Sequence, residues 1–402
     1  MALTPVETAL ARVLDGIAPV GVERVPLAAA NGRVLAEDLR ALRTQPPFDA
    51  AAMDGWALVA ADAAADGARL AIVGESAAGR GFAGTLGSGE AIRIFTGAPM
   101  PAGADTVVMQ EYARRDGDTL ILDEAARPGR HVRRAGVDFR EGEIGLAAGR
   151  RLDFAALGLA AGLNHAVLPV HRRPRIAYLA NGDELVPPGT VPGPDRIVAS
   201  NGVALAALIA ENGGEPVDLG IAPDDLDAIR AAVRAGLDAD IDALVTLAGA
   251  SVGDHDLVHR ALTAEGVVFE FWKIAMRPGK PLMAGRRGTL PVLGLPGNPA
   301  ASLVCGLVFV APLVRALAGR LDAVTPLERV ATAVDLAAND LRQDYLRATL
   351  AIGADGRAEV RPLDSQDSSL LTRFAGADAL LVRPPHAEAT RAGDLVPVMR
   401  LR

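Results

Sequence analysis

Short apolar runs alternate with helical patterns between residues 174 and 318, and this alternation constrains the fold more than any other feature. Strands are predicted at 175–180, 216–220, 241–247, 267–272 and 291–295, and helices at 202–211, 225–235, 254–264 and 300–317. Strands that alternate with helices form right-handed βαβ units. We therefore expect an α/β protein with a central doubly wound, mainly parallel sheet.

The flanking segments have a different character. Glycine recurs through residues 46–137 between short β-type runs, which predicts a small β-rich domain. Residues 1–45 and 138–173 have helical periodicity, with Thr4 capping a first helix and a second helix near Leu27. The β-rich piece is thus expected to be inserted into a helical domain. Residues 319–402 combine short strands with turns and predict a terminal β domain.

The charge balance excludes some classes of partner. The 402 residues include 41 basic and 49 acidic side chains, so the formal net charge is −8. A negative field does not attract the polyanions of nucleic acids or acidic membranes, which argues against a general binder of either. A local basic pocket remains compatible with this balance.

The sequence predicts no membrane-spanning helix, no secretory signal and no disulfide. The longest apolar run, 303–314, has 12 residues, whereas a membrane-spanning helix needs about 20. The first residues have no cationic start before an apolar run, so we expect no secretory signal and a cytoplasmic protein. Cys305 is the one cysteine, which excludes an intramolecular disulfide, and its apolar neighbours predict a buried thiol.

Lysine is rare and concentrated. Lys273 and Lys280 are the two lysines of the chain, and the other 39 basic residues are arginine. A compact ammonium and a planar guanidinium are not interchangeable where an anion must be approached closely. The placement of both lysines within eight residues predicts an anion-binding pocket. Chance placement of two rare residues is the alternative.

Polar loops follow the predicted strands and are expected to meet at one edge of the sheet. Gly249, Ser251 and Gly253 follow the third strand, where backbone N–H groups and a helix start could bind an anion. The segment 297–299 follows the fifth strand. Either loop could also be a purely structural turn.

Acidic residues occur in three of these loops. They are Glu184, Asp224, Asp225, Asp254 and Asp256. Any one of them could simply cap a helix. Their convergence beside an anion pocket instead favours a divalent cation that bridges carboxylate and phosphate oxygens, and Mg²⁺ suits such ligands.

Two loops of the inserted region are also unusual. Residues 46–57 include two acids, a glycine and Trp56, and residues 95–106 form a turn-rich connector with hydroxyl and carboxylate groups. The first loop is either a binding surface or a domain junction with a packed tryptophan.

These segments form an ordered set. It comprises Pro-Phe-Asp at 47–49, Ala-Met-Asp-Gly at 52–55, Phe-Thr-Gly-Ala-Pro at 95–99, Arg-Arg-Ala-Gly-Val-Asp at 133–138, Asn-Gly-Asp-Glu-Leu at 181–185, Ser-Val-Gly-Asp-His-Asp at 251–256, Pro-Gly-Lys-Pro at 278–281, Gly-Leu-Pro-Gly-Asn-Pro at 294–299 and Arg-Gln-Asp-Tyr-Leu-Arg at 342–347. The set resembles the molybdopterin molybdenumtransferase family, which includes MoeA and the E domain of gephyrin. The resemblance covers essentially the whole chain.

The resemblance implies a reaction and an architecture. Adenylylated molybdopterin and molybdate would give molybdenum cofactor and AMP, with Mg²⁺ required. The subunit would have a helical domain (1–45 with 138–173), an inserted β-rich domain (46–137), an α/β domain of the molybdopterin-binding type (174–318) and a small C-terminal β-barrel (319–402). It would form a homodimer, and could contact the adenylyltransferase and the recipient molybdoenzymes.

Site residues are implied by the same resemblance. The acidic active-site positions match Asp54, Asp138, Glu184, Asp224 (or Asp225) and Asp256, of which Glu184, Asp224 and Asp256 would hold Mg²⁺. The catalytic lysines match Lys273 and Lys280. The substrate-binding positions match Thr96, Gly249, Ser251, Gly253, Arg277, Pro278, Gly297, Asn298, Pro299, Arg342, Arg347, Ser368 and Ser369. In the dimer, the last domain is expected to serve the partner's cleft.

Departures from the family pattern leave alternatives open. Ala248, Arg277 and Ala301 stand where the family usually has Gly, Lys and Ser, although the acids and both cations of the Pro-Gly-Lys-Pro segment remain. One alternative is the adenylyltransferase of the preceding step, whose fold resembles the α/β segment alone. Another is a scaffold that binds pterin or a peptide without turnover. Molybdate and tungstate both suit these residues.

Overall fold

The structure, a computed structural model, describes residues 3–248, 257–353 and 356–401. The N-terminal segment contains α1 (Val6–Leu14), β1 (Val22–Pro26) and β2 (Leu39–Arg40). Thr4 does not cap α1, because the helix follows Pro5 and the Thr4 N–H donates to Lys273 O at 3.0 Å. The second predicted helix is wrong: only a 3₁₀ turn, Leu27–Ala29, is present.

The inserted segment is a β-rich unit, as predicted. Its strands are β3 (Ala50–Ala51), β4 (Gly55–Leu58), β5 (Arg69–Ser76), β6 (Glu90–Ile94), β7 (Thr106–Met109), β8 (Ala113–Asp116), β9 (Thr119–Leu122) and β10 (Val132–Arg133), with 3₁₀ turns at Ala60–Ala63 and Gln110–Tyr112. Six strands form one sheet in the order β7-β4-β6-β5-β9-β8, and β3 pairs with β10. This sheet has its own core, which includes Trp56, Leu70 and Leu120.

The chain then returns to the N-terminal segment. It forms β11 (Ile144–Leu146), α2 (Phe154–Gly162) and β12 (Val167–His171). β1 pairs antiparallel with β12, and β2 with β11. Residues before and after the insertion thus share one core, which includes Leu35 and Leu168. Strands as well as helices build this part, because Val34 and Leu35 bridge to Arg151 and Val170 in extended backbone.

The central segment contains the predicted sheet. Its strands are β13 (Arg175–Asn181), β14 (Leu185–Val186), β15 (Ile197–Val198), β16 (Glu215–Ala222), β17 (Ala243–Leu247), β18 (Val268–Phe271), β19 (Met276–Arg277), β20 (Met283–Arg287) and β21 (Leu290–Leu295). The order is β16-β13-β17-β21-β20-β18. The first four strands are parallel, and β20 is antiparallel to both neighbours. β18 therefore runs with β21, and its carboxyl end reaches the same edge.

Helices cover both faces of this sheet, as a doubly wound fold requires. They are α3 (Asn201–Glu211), α4 (Leu226–Leu237), α5 (Leu257–Ala264), α6 (Pro299–Cys305) and α7 (Ala311–Leu317), the last two joined by a π-helical turn, Gly306–Val310. Ile229 of α4 and Leu262 of α5 belong to one core cluster. Ile209 of α3 and Val304 of α6 belong to the other.

The continuous helix Pro299–Leu317 is longer than the predicted apolar run. It has 19 residues and a mean hydropathy of 2.1, so by length and composition it could cross a membrane. Within the fold, 78% of the apolar stretch of this helix is buried. It therefore packs as a core helix. Cys305 lies in it, fully buried as predicted, and burial raises the pKa of its thiol.

The C-terminal segment closes into a barrel. It contains β22 (Glu328–Thr332), β23 (Gln343–Ile352), β24 (Ala358–Pro362), α8 (Leu371–Ala375), β25 (Ala379–Arg383) and β26 (Leu395–Arg400). The strand order β23-β24-β22-β26-β25 returns to β23, which makes a five-stranded barrel. β19 adds parallel to β23, so the barrel is joined directly to the loop that follows β18.

Candidate active site

The carboxyl ends of β13, β17 and β21 open into a cleft of about 620 Å³. The loops that follow these strands form its floor, and the first residues of α3 and α6 form two of its walls. Parallel strands deliver their following loops to one edge of a sheet. The cleft thus occupies the position that the strand pattern predicts.

Five of the sequence-predicted site residues line this cleft. They are Glu184, Gly297, Asn298, Pro299 and Ser369. Gly249, Ser251, Gly253 and Asp256 lie outside the described residues. They follow Ala248, which lines the cleft with a left-handed φ of +85°. The Ala248 Cβ is 3.4 Å from the position that a Cβ on Gly297 would take, so these two loops approach closely.

Glu184 and the predicted aspartates hold different positions. A Cβ on Gly182 would lie 2.5 Å from Glu184 Oε2, so the carboxylate packs back over this glycine. Asp224 accepts hydrogen bonds from Asn181 Nδ2 at 3.2 Å and from the Asp183 N–H at 3.3 Å. Asp225 instead caps α4 by accepting from the Ala228 N–H at 2.9 Å. Asp225 therefore caps a helix, whereas Asp224 joins its loop to the loop that follows β13.

The described acidic residues do not form a metal site with three or more protein ligands. Within the described part of the chain, no group of three or more His, Cys, Asp or Glu side chains is placed to hold a metal ion. Glu184 lines the cleft, whereas Asp224 does not. The predicted third ligand, Asp256, is outside the described ranges.

Both lysines lie in the loop that leads to the cleft. The Ile274 N–H donates to Lys280 O at 3.1 Å and closes this loop, and Pro281 lines the cleft. Lys280 is exposed and Lys273 is half-buried. Neither ammonium forms an ion pair with a described residue. The two cations are therefore available to an anion.

Arg277 differs from these lysines. Its guanidinium pairs with Asp344, whose side chain is 6% exposed, and with Asp340 at 3.3 Å. The hydrogen bond from Arg277 to Asp344 raises the pKa of the guanidinium. Pro278 follows, half-buried. Arg342 also donates to Asp340, at 3.2 Å. The predicted substrate-binding residues Arg277 and Arg342 thus belong to an ion-pair network at the junction with the barrel.

Arg347 is fully buried and holds the segment that carries the two serines. Its Nε donates to Gln366 Oε1 at 3.2 Å and its Nη1 to Asp367 O at 2.9 Å. Its Nη2 has no hydrogen-bond partner among the described residues. Burial lowers the pKa of this guanidinium, which the negative charge of Asp367 opposes.

The serine segment contacts the cleft of its own chain. Ser368 Oγ accepts a hydrogen bond from Asn298 Nδ2 at 3.1 Å, and Ser368 O accepts from the Ala300 N–H at 2.9 Å. Ser369 donates to Asp367 Oδ1 at 2.8 Å and lines the cleft. Within one chain, the last domain therefore completes the cleft that its own central sheet forms, which corrects the expectation that this domain serves the partner's cleft. Ala301 is buried in α6 and offers no hydroxyl.

Asp54, Thr96 and Asp138 lie elsewhere, outside the cleft lining. The Asp54 carboxylate accepts from the Thr96 N–H and from Thr96 Oγ1, both at 2.7 Å. The backbone hydrogen bond and then the hydroxyl hydrogen bond lower the pKa of Asp54. The exposed Asp138 donates its N–H to Gln45 O at 3.1 Å.

Arg93 contacts the residues next to Asp54 and Thr96. Its guanidinium lies over the rings of Trp56, at 5.4 Å, and Phe95, at 4.9 Å, and its Nη1 donates to Gly55 O at 3.1 Å. Trp56 is 6% exposed. The Trp56 ring is therefore packed, but in the core of the inserted sheet rather than at a domain junction, while Asp54 remains at the surface.

Sequence reasoning missed the wall formed by α3. Asn201 Nδ2 donates to Gly297 O at 2.8 Å, and Ser200 and Asn201 line the cleft. The signal was present, since Ser and Asn before an apolar run are typical of a helix start. A second cavity of about 570 Å³ adjoins the first and shares Ala180, Leu185, Ala199 and Gly202 with it.

Comparison with known proteins agrees with this arrangement. Family models match three consecutive parts of the chain: the MoeA N-terminal region (domain I and II) over residues 4–163, a probable molybdopterin binding domain over 177–316, and the MoeA C-terminal region (domain IV) over 329–401. The matches follow the same order as the motifs.

Relatives and solved structures extend the match to the whole chain. The molybdopterin molybdenumtransferase of Nostoc sp. is 37% identical, over 94% of this chain and 88% of the relative. That of Haemophilus influenzae is 33% identical, over 94% of each. A crystal structure of the molybdopterin biosynthesis MoeA protein of Pyrococcus horikoshii matches with a TM-score of 0.83 and 31% identity over 100% of both chains. The chain therefore belongs to the molybdopterin molybdenumtransferase family, as its ordered motifs predict.

Proposed function

We propose that this enzyme inserts molybdate into adenylylated molybdopterin and releases AMP, giving molybdenum cofactor, and that it does so in the cytoplasm as a homodimer. The observation that carries the proposal is the convergence of Glu184, Asn298 and Ser369 on one cleft. Lys273 and Lys280 do not line this cleft, but Lys280 directly precedes Pro281, which does, and neither lysine has an ion-pair partner in the described ranges. The 37% identity to the molybdopterin molybdenumtransferase of Nostoc sp. supports the reaction class.

Electrostatics explains why such a cleft suits the reaction. Molybdate is a dianion and the adenylylated pterin is polyanionic, so bringing them together is opposed by charge repulsion. Lys273 and Lys280 offer positive charge that no described carboxylate neutralises. Positive groups fixed in place before the reactants bind stabilise charge without reorganisation during the reaction.

Arg347 and the serine segment are the proposed oxyanion-holding elements. The buried Nη2 of Arg347 lacks a partner among described residues, and an unpaired buried donor is unfavourable unless a ligand satisfies it. Its other nitrogens hold Gln366 and Asp367, which place Ser369 at the cleft. The same side chain can thus both order the segment and offer one N–H to an anion.

Glu184 is the proposed protein ligand for Mg²⁺. This ion commonly keeps several waters and uses one or two carboxylates together with substrate phosphates. The exposed Glu184 carboxylate at the cleft meets that requirement, with Asp224 on the adjacent loop and Asp256 as further ligands. When bound, Mg²⁺ would neutralise charge on the pyrophosphate from which AMP leaves.

The adjoining cavities suit a substrate with two bulky ends. Adenylylated molybdopterin carries a pterin and an adenosine joined through a pyrophosphate. Two cavities of about 620 and 570 Å³ share a wall next to Glu184, and each is within the range of about 300–1,000 Å³ that is usual for small-molecule sites. We assign one ring system to each cavity, with the pyrophosphate between them.

The homodimer accounts for Asp54, Thr96 and Asp138. These residues are exposed on the first half of the chain and do not line the cleft of their own chain. In the proposed dimer they face the cleft of the second subunit and complete it. Contacts with the adenylyltransferase and with recipient molybdoenzymes belong to the same proposal.

A reconstituted reaction tests this function. Purified protein is incubated with adenylylated molybdopterin, Mg²⁺ and low molybdate, and AMP release is followed together with activation of an apo-molybdoenzyme. We expect both products. Formation of adenylylated molybdopterin from ATP and molybdopterin would instead identify the adenylyltransferase, and binding without turnover would identify a scaffold.

A further inference from the structure

Five arginines surround a small depression where the N-terminal part meets the central domain. They are Arg33, Arg151, Arg172, Arg173 and Arg320. They come from separate parts of the chain: Arg33 and Arg151 belong to the segments around the insertion, Arg172 and Arg173 to the link before β13, and Arg320 follows α7. None of these residues has a part in the proposed reaction.

Positive charge exceeds negative charge at this depression. Arg33 pairs with Glu23, Arg172 with Asp242 at 2.6 Å, and Arg320 with Asp322 at 2.5 Å. Arg151 and Arg173 are exposed and form no ion pair with a residue in the described ranges. Three of the five guanidiniums are thus paired with a carboxylate, and the charges of Asp240 and Glu215 also act on Arg172. Arg151 and Arg173 remain as the unpaired cations.

Burial differs among the five arginines. The side chains of Arg33 and Arg320 are only 10% and 14% exposed and are paired with carboxylates, whereas the unpaired Arg151 and Arg173 are exposed and accessible to an ion from solution. The pKa of Arg315 is lowered first by burial and then by the charges of Arg320 and Arg151, and the charge of Asp322 opposes this shift. The pKa of Arg172 is instead raised by its hydrogen bond to Asp242.

The other polar side chains at the depression, His171 and Asn212, carry no negative charge. His171 lies with Nδ1 3.0 Å from Val20 O. The Asn212 side chain donates to Leu208 O at 2.7 Å and accepts from Arg315 Nε at 2.5 Å. Both are therefore engaged with the protein, and the open side of the depression is left to the arginines.

The size of the depression limits what can bind. It encloses about 10 Å³, which is near the minimum needed to hold one water. An organic ligand such as a nucleotide cannot enter. A small ion could sit at the mouth, with guanidinium forks around it, and Arg is well suited to bidentate recognition of oxyanions.

We propose that this arginine pocket binds a small tetrahedral oxyanion, the class to which inorganic phosphate, sulfate and molybdate belong. The bound ion links the N-terminal segments to the central domain, because its partners come from both. The site is separate from the cleft and does not depend on the proposed reaction.

The test compares thermal unfolding with and without inorganic phosphate at constant ionic strength. A ligand that binds the native state raises its stability by mass action. We expect about 10 mM phosphate to raise the melting temperature of the natural protein by roughly 2 °C or more. The shift should be lost in Arg151→Gln/Arg173→Gln, and calorimetry should show phosphate affinity at least about tenfold weaker.

Two further variants make the test specific. Arg329→Gln/Arg391→Gln removes the same charge from exposed arginines of the barrel and should keep the full shift. Lys280→Gln, which alters the cleft, should also keep it. An equal shift in Arg151→Gln/Arg173→Gln and the natural protein, its loss in Lys280→Gln, or no shift in any form would overturn the proposal. Sulfate should reproduce the phosphate result.

Discussion

Asn298 Nδ2 donates a hydrogen bond of 3.1 Å to Ser368 Oγ, across 70 positions of sequence. This contact joins the start of α6 in the central domain to the serine segment of the barrel domain. Both residues are next to others that line the cleft, Pro299 and Ser369. The position of the serine segment is therefore set by the central domain of the same chain.

Removing the Ser368 hydroxyl should loosen this segment. A hydrogen bond of this kind contributes about 0.5–1.5 kcal/mol, so we expect Ser368→Ala to lower kcat/KM for AMP release by roughly three- to tenfold. Ser365→Ala is the matched control, because its hydroxyl accepts only a 3.5 Å contact from Asp367 N–H. Equal activity of the two variants would show that the contact is not needed.

Lys280 should matter for charge rather than for stability. It is exposed and has no ion-pair partner in the described parts of the chain, so Lys280→Ala removes charge without breaking a structural contact. We predict that molybdenum insertion falls at least about tenfold, equivalent to roughly 1.4 kcal/mol, while the melting temperature stays unchanged. Arg329→Ala serves as the control for charge loss, and near-normal turnover by Lys280→Ala would refute the role assigned to it.

The pKa of Asp54 should depend on the Thr96 hydroxyl. The Thr96 N–H and hydroxyl stabilise the ionised carboxylate and lower its pKa. Thr96→Val keeps the N–H and removes the hydroxyl, so the Asp54 pKa should rise, whereas Thr96→Ser should leave it low. A ¹³C-carboxylate NMR titration measures this directly.

The sign of the effect on stability follows from linkage. Because the folded-state pKa of Asp54 is depressed, its contribution to stability is present above the unfolded pKa of about 3.9 and is lost as the pH falls through the folded value. Thr96→Val, whose Asp54 pKa lies closer to the unfolded value, should therefore lose less stability on acidification than Thr96→Ser. Identical titration curves for the two variants would contradict the assigned hydrogen bond.

Arg277 is expected to contribute to the stability of the fold rather than to substrate binding. Arg277→Gln leaves the buried Asp344 carboxylate, 6% exposed, without its cationic partner, and an unsatisfied buried group costs about 1–3 kcal/mol. We expect a lower denaturation midpoint, with Arg277→Lys less affected because it keeps the charge but loses the planar fork. A raised KM with unchanged stability would instead mean that Arg277 binds substrate.

The central sheet could be predicted because buried parallel strands appear as continuous apolar runs. β20, with the sequence Met-Ala-Gly-Arg-Arg, was missed since its polar end resembles a loop, and its pairing with β18 and β21 stabilises it as a strand. The false helix near Leu27 came from apolar spacing. The backbone turns at Gly32, with φ +74°, and Leu35 pairs across to Val170.

The site was predictable to the extent that strand topology determines it. Glu184 and Asn298 reach the cleft because their loops follow parallel strands. The pairing of Arg277 with Asp344 and the contact between Asn298 and Ser368 depend on how the barrel docks. Such contacts between distant segments leave no periodic signal in the sequence.

The central claim is that Glu184 holds the Mg²⁺ needed for molybdate-dependent AMP release. The Mg²⁺ dependence of AMP release in Glu184→Gln tests this claim most directly. Glu37→Gln, the same change at an exposed position outside the cleft, is the control. We predict that AMP release by the natural protein and the control requires both molybdate and Mg²⁺, and that Glu184→Gln needs at least about tenfold more Mg²⁺ for half-maximal rate. An unchanged Mg²⁺ requirement in Glu184→Gln, or AMP release that ignores molybdate, would contradict the account.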